Sequence, residues 1–353
     1  MHLYIAGTGS VSKALITQIL QKHRFLVQNH GINIVVNGII NSRWMRLSKI
    51  GIPLHEALVE GSECTNADLP AFLSHIKQLQ LPGSLFVDVT ANENVAAAYL
   101  DLLQKGIHVV ACSKIACSAP MIHYSRLKSA AKESGASFLY NTNVGAALPY
   151  LQIIRQLYLA GEKINRIEAV LSGTLSYVFG LYNGTTPFSE IVRNASQAGY
   201  TEPDPRLDLQ GIDVMRKLLI LCREMEIPLE EKEVLKTDFL PEKCLQGSID
   251  SFYQTLENKE DYFKQLFTTA QEQGAKLKYV ASWQPGKASI GLQSVFPHHP
   301  IYNLAQKDNI LLIYSENFLS PLSISGAGAG AQGTAMGVLS DIISTASLIF
   351  SKA

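Results

Sequence analysis

Through the first 140 residues, short apolar runs rich in Val and Ile alternate with stretches of helical period, and that rhythm admits few folds. Residues 2–6, 33–40, 84–90, 107–111 and 136–140 predict strands; 11–23, 68–79, 95–103 and 120–134 predict helices. Such alternation builds a parallel sheet covered by helices on both faces. The strands are nearly continuous in apolar character, as burial on both faces demands. The expectation is a doubly wound α/β domain over residues 1–140.

The second half reads differently. Helical stretches at 148–159, 209–225 and 261–273 mix with strands at 166–171, 276–282, 288–295 and 310–315. This predicts an α+β domain with an antiparallel sheet over 141–325. A Gly/Ala segment at 326–331 then leads into an apolar helix at 334–350, and 326–353 is expected to complete the first domain.

Charge and cysteine usage exclude several classes. Lys+Arg and Asp+Glu are both 30, so no positive field exists to hold nucleic acid or an anionic membrane. No apolar stretch reaches 18 residues, and the N-terminus has no secretory pattern. Five cysteines without a C-x-x-C pair read as free thiols in a reducing, cytoplasmic setting. A charged fraction of 17% beside 47% hydrophobic residues points to buried subunit contacts. His298-His299 reads as a surface turn, and Trp44 and Trp283 as packing residues.

Directly after the first strand comes Gly7-Thr8-Gly9-Ser10-Val11-Ser12, opening a helix. The first glycine permits a tight turn, and the second lets backbone N–H groups reach a pyrophosphate at the helix N-terminus. Strand, turn and helix at the head of a βαβ series make this a Rossmann-like dinucleotide loop. An acid after the second strand would bind a ribose 2′-OH and repel a 2′-phosphate. The chain has Asn41-Ser42-Arg43 there. Ser42 can donate to a phosphate and Arg43 can pair with it, so NADP is expected over NAD.

The run 199–217 carries the densest chemistry: Glu202, Asp204, Asp208, Asp213 and Lys217, with Pro203 and Pro205 between the first acids. The prolines force Glu202 and Asp204 out of helical geometry, so a stiff loop is expected to present two carboxylates. Asp213 and Lys217 lie four residues apart on one helical face, beside an apolar stripe of Ile212, Met215, Leu219 and Cys222. Such a pair is either a surface contact or a proton donor and acceptor. Burial lowers a lysine's pKa and a neighbouring carboxylate raises it. The surrounding acids suit the ammonium of an amino-acid substrate.

The run from Thr201 to Lys217, T-E-P-D-P-R-x-D-L-x-G-x-D-V-x-R-K, resembles the signature of homoserine dehydrogenases. Residues 171–177 (LSGTLSY), 143–149 (NVGAALP) and 326–338 (GAGAGA, then TAMGV) resemble further segments of that family, in the same order along the whole chain. The likeness is closest to the dehydrogenase half of fused aspartokinase–homoserine dehydrogenases. It implies NAD(P)-dependent interconversion of L-homoserine and L-aspartate 4-semialdehyde, on the route to threonine, methionine and isoleucine. It places Lys217 on the family's catalytic lysine, Glu202 and Asp213 on its substrate-binding acids, and Asp208 beside them. It also places Lys114 beside nicotinamide and substrate, and Thr90 and Gly330 on the cofactor. A homodimer, and a fused or associated aspartokinase, are further implications.

Four positions depart from the family pattern: Ser12, Ser113, Leu207 and Asn141. The family holds a monovalent cation, Na⁺ or K⁺, with an acid at the position of Asn141 and with carbonyls at Val144, Ala146 and Leu148. Asn141 keeps an oxygen but lacks the charge, so weak cation dependence is expected. A non-catalytic NADP-binding relative with a structural or regulatory role is the alternative those departures suggest. A different amino-acid dehydrogenase would account for the first domain only.

Overall fold

The computed structural model describes residues 1–305 and 307–350. The chain forms two compact units: Met1–Ala147 joined by the segment from Ala329 onward, and Leu148–Gly328. Residues 141–147, expected in the second domain, belong to the first unit.

The first unit is built on a seven-stranded sheet in the order β4-β3-β2-β1-β5-β6-β7. Its strands are β1 (His2–Ala6), β2 (Val35–Ile40), β3 (Trp44–Ile52), β4 (Thr65–Asn66), β5 (Ser84–Asp88), β6 (His108–Ala111) and β7 (Phe138–Leu139). β2, β1, β5, β6 and β7 run parallel, whereas β3 returns antiparallel to β2 and β4 antiparallel to β3. The sheet is therefore mixed where a purely parallel one was expected. The segment 44–52 carries no plain strand pattern in the sequence, because Arg46, Ser48 and Lys49 interrupt its apolar run. Trp44 anchors it in the core at 4% exposure.

β1 has β2 on one side and β5 on the other. The chain thus reverses direction across the sheet there, and ligands of open α/β sheets bind at the carboxyl ends of such strands. The last helix, Ala331–Phe350, packs Val338, Leu339 and Ile342 into the same core as Leu3, Ile5 and Leu15. Each fully buried aliphatic side chain contributes about 1.5–3 kcal/mol. The helix expected at 95–103 is two short ones, Glu93–Ala97 and Tyr99–Gln104.

The second unit carries a six-stranded sheet in the order β13-β12-β8-β10-β11-β9. Its strands are β8 (Ile164–Val170), β9 (Val234–Thr237), β10 (Lys276–Gln284), β11 (Lys287–Val295), β12 (Asp308–Ser315) and β13 (Leu322–Ala327). All pairings are antiparallel except β11 with β9. Among its helices are Gly173–Leu181, Phe188–Gln197, Ile212–Glu224 and Glu260–Glu272. Aromatic rings lock several of them together; Phe188 stacks on Phe263 with centroids 4.1 Å apart.

The expected 209–225 helix is interrupted. A short helix, Arg206–Leu209, precedes Ile212–Glu224, and Gly211 between them adopts φ +70°. A Cβ at Gly211 would also stand 2.2 Å from the Tyr279 hydroxyl, so both backbone and packing require glycine. The Gly/Ala segment splits likewise: Gly326-Ala327 ends β13, and the last helix begins at Ala331, not 334.

Candidate active site

From β1 the chain turns through Gly7-Thr8-Gly9 into the helix Ser10–His30. Gly7 holds φ +108°, and a Cβ there would lie 3.1 Å from side-chain carbons of Thr90 and Val89. A Cβ at Gly9 would meet nothing within 4 Å. The helix N-terminus beyond Gly9, with exposed Ser10 and half-buried Val11 in its first turn, is therefore open to an anion. Ser12 is fully buried with its hydroxyl unpartnered among the described residues. It fills the third position of the loop as a small packing residue.

A cavity of about 530 Å³ opens at these strand ends, and Gly7, Gly9, Ser42 and Thr90 all line it. Asn41, which no motif marked, organises its rim. Its Oδ1 accepts from the backbone N–H of Arg43 and of Trp44, each at 2.8 Å, and its Nδ2 donates to Thr8 Oγ1 at 3.1 Å. Arg43 is exposed in that turn, outside the lining residues.

Thr90 is held from below. Asp88, fully buried, accepts through Oδ1 from the Thr90 N–H and hydroxyl, both at 2.7 Å, and through Oδ2 from the Tyr99 hydroxyl. Burial pushes the Asp88 carboxyl above the usual range, and these donors oppose the shift.

Lys114 is half-buried at the head of the short helix Ile115–Ser118, after β6. Cys112 nearby accepts from Thr142 Oγ1 at 3.3 Å, and burial pushes its thiol up to about 12. A thiol held protonated is no nucleophile. Gly330 precedes the last helix, and its carbonyl accepts the Thr334 N–H at 2.9 Å.

Asn141 opens the turn leading to Val144, Gly145 and Ala146. Ala146 sits at φ +53°, a strained geometry for a residue with a Cβ. Asn141 Nδ2 donates to Asp341 Oδ1, and its backbone N–H donates to Asp341 Oδ2 at 3.1 Å. Asp341, on the last helix, is fully buried, and Asn141 Oδ1 is buried without a partner among the described residues. A carboxyl group, absent at position 141 itself, thus stands one hydrogen bond behind it. Leu148 belongs to the second unit.

In the second unit, Lys217 Nζ donates to the Leu171 carbonyl at 2.7 Å and pairs with Asp213 Oδ2 at 2.7 Å. The Lys217 side chain is 12% exposed and that of Asp213 47%, so the ammonium is drawn back from water while its carboxylate partner stays half solvated. Asp208 accepts the Glu202 N–H through Oδ2 at 2.8 Å, and its Oδ1 lies 3.2 Å from the Thr174 hydroxyl. Burial pushes the Asp208 carboxyl up, with the charges of Glu202 and Asp213 adding to it. The Glu202 side chain is exposed and holds no hydrogen bond among the described residues.

The proline loop presents one free acid, not two. Arg206 clamps Asp204 with Nε at 2.9 Å from Oδ1 and Nη2 at 2.6 Å from Oδ2. That guanidinium holds the Asp204 carboxyl below the usual range. Thr174, within bonding distance of the Tyr200 carbonyl as well as Asp208, shows what the LSGTLSY segment does: it ties down the acidic loop. Of the His pair, His299 is also partnered: its Nε2 lies 3.0 Å from Glu168 Oε2.

Sequence comparison identifies the family. Residues 149–343 match the homoserine dehydrogenase family, and 7–141 match the homoserine dehydrogenase NAD-binding domain. The chain belongs to the homoserine dehydrogenase family. It is 37% identical over 352 residues to the chloroplastic bifunctional aspartokinase/homoserine dehydrogenase 2 of Zea mays, covering 98% of this chain and 38% of that protein. The bifunctional aspartokinase/homoserine dehydrogenase 2 of Escherichia coli is 35% identical, with 98% and 43% covered. The chain therefore spans about two fifths of the length of these curated relatives. Among solved structures, a Candida auris protein of unknown function aligns with a TM-score of 0.90 at 29% identity, covering 99% of this chain and 98% of that one. A hyperthermophilic archaeal homoserine dehydrogenase in complex with NADPH aligns with a TM-score of 0.76 at 22% identity, covering 98% and 97%, and shares the fold.

Proposed function

We propose that this chain interconverts L-homoserine and L-aspartate 4-semialdehyde with NADP(H), feeding the branch toward threonine, methionine and isoleucine. The observation that carries the reading is the largely shielded Lys217 ammonium, 12% exposed and held by the Asp213 carboxylate and the Leu171 carbonyl, in a member of this family.

When bound, NADP supplies the hydride acceptor and NADPH the hydride donor. Residues on hand fit that group: the open helix N-terminus at Gly9 suits its pyrophosphate, and the cavity lined by Gly7, Ser42 and Thr90 its ribose. Arg43 would pair with a 2′-phosphate, and the first turn at Ser10 and Val11, Lys114 and Gly330 would complete the site. Glu202 anchors the substrate ammonium, supported by Asp208. Lys217 takes the hydroxyl proton during oxidation and returns it to the nascent alkoxide during reduction. Asp213 holds Lys217, and the charge of Lys114 favours the developing negative oxygen.

The unpartnered Asn141 Oδ1, with Asp341 behind it, suits an oxygen ligand for a Na⁺ or K⁺ ion, to which the family resemblance adds the carbonyls of Val144 and Ala146. An amide binds less firmly than a carboxylate, so activation should stay below about threefold across low-millimolar K⁺; a larger response would contradict this. A homodimer, a fused or associated aspartokinase and a cytoplasmic setting accompany the reading. They rest on the low charge, the relatives' names and the free thiols.

Loss of NADPH absorbance with aspartate semialdehyde tests the proposal, with kcat/KM higher for NADPH than for NADH. NADPH binding without turnover would reduce the chain to a non-catalytic relative, and turnover only with another carbonyl substrate would make it a different dehydrogenase.

A further inference from the structure

One residue bound to the Lys217 network lies outside every sequence motif. Asn309, in β12, is 1% exposed, and its Nδ2 donates to the Leu171 carbonyl at 3.3 Å. That same carbonyl accepts Lys217 Nζ. Leu171 follows the end of β8, whose Val170 pairs with Ile310 of β12. The Asn309 amide therefore supplies a donor where the backbone ladder has stopped. With two lone pairs, the carbonyl is filled by these two donors.

Chemistry fixes the orientation of the amide, because a flipped one would set oxygen against oxygen. The choice leaves Asn309 Oδ1 buried without a partner among the described residues, a cost native folds seldom carry without reason. The neighbouring glycine segment makes room for it. A Cβ at Gly328 would stand 2.0 Å from Asn309 Nδ2 and 2.1 Å from its Cγ. Gly328 is not in the left-handed region, so space for this amide, not backbone freedom, is what requires glycine there.

We propose that Asn309 is a positioning residue for Lys217: it fixes the Leu171 carbonyl and, by sharing it, limits how firmly that carbonyl holds the ammonium. The proposal rests on the reading of Lys217 as the proton-transferring group. Asp213 faces Lys217 from its own helix, and Asp208, from the short helix before it, lies within electrostatic reach of Asp213, with Glu202 in turn within reach of Asp208. β10 contributes Tyr279 at Gly211, and the helix Tyr150–Leu159 contributes Arg155, which pairs with Glu224 at the far end of the Lys217 helix. Asn309 does not titrate, and the contact it shares with the lysine is the Leu171 carbonyl, so the effect of its removal is read through that carbonyl.

The test compares Asn309→Ala, Gly328→Ala and the double variant of the full chain in homoserine oxidation across pH. Asn309→Ala should lower kcat about tenfold, as a lost positioning contact does, with the KM for NADP within about twofold. It should also move the pH midpoint of kcat upward, because an unshared carbonyl holds the ammonium more firmly. Gly328→Ala should reproduce both effects. The double variant should be no worse than Asn309→Ala, because the new methyl occupies the space the amide vacates. Asn309→Leu, of similar volume but without the donor, gives the same readout should the alanine variant unfold. An unmoved or lowered midpoint, or additive losses in the double variant, would overturn the proposal. Lys217→Ala in the same assay separates the two claims. If it abolishes turnover while Asn309→Ala leaves the midpoint unchanged, only the role of Asn309 fails; if it retains turnover, the reading of Lys217 itself fails.

Discussion

The two units present their candidate sites in opposite ways. In the first, the surface for a ligand is mostly backbone: a glycine turn, a helix N-terminus and a hairpin rim organised by Asn41. In the second it is mostly side chain: Asp208 accepts from Thr174 and from the Glu202 N–H, and Lys217 pairs with Asp213 and bonds the Leu171 carbonyl. Backbone recognition asks only that side chains stay small or point away. This explains how Ser12 can stand at the third loop position, fully buried, without disturbing the turn. A side-chain site has no such tolerance, and here the residues of the family's acidic signature remain, apart from Leu207.

That contrast can be broken by experiment. Gly9→Ala adds a methyl that meets no protein atom within 4 Å, so Tm should hold while the KM for NADPH rises about tenfold through crowding of a phosphate. An unchanged KM would mean that the open space is not used. The smaller effect lies in the acidic loop, at an acid assigned to structure and not to substrate. Asp204→Asn should leave the KM for homoserine within about twofold but lower stability at neutral pH by at most about 1 kcal/mol. Because Arg206 depresses the folded-state pKa of Asp204, its contribution is present above the usual carboxylate range and is lost as pH falls below it. Thermal melts of the two proteins should therefore converge at low pH. A gap that persists in acid would show that shape, not charge, matters there.

Much of this was legible in the sequence, and the boundary of legibility is physical. Strand–helix alternation and the glycine turn located β1, β2, β5 and β6 because local period and burial coincide there. The antiparallel β3 was hidden by polar residues in its run, as expected of a strand whose outer neighbour, β4, covers it only at Trp44 and Met45. Gly211 broke the expected long helix because Tyr279, nearly 70 positions away, occupies the space of a Cβ. Glu202 and Lys217 were visible as motif residues. The clamp on Asp204 by Arg206 lay within the motif yet was not read from it. Asn309 was invisible for a different reason: its partner carbonyl lies 138 positions earlier, and nothing local to β12 signals it.

The division of labour between the units rests on Lys217 acting on the substrate proton and taking no part in cofactor retention. Measuring NADPH affinity by fluorescence and the single-turnover rate with aspartate semialdehyde on Lys217→Ala tests this directly. The predicted result is a Kd within about twofold of the unaltered protein and a chemical step slowed by at least ~10²-fold. Weakened NADPH binding with an intact chemical step would contradict it.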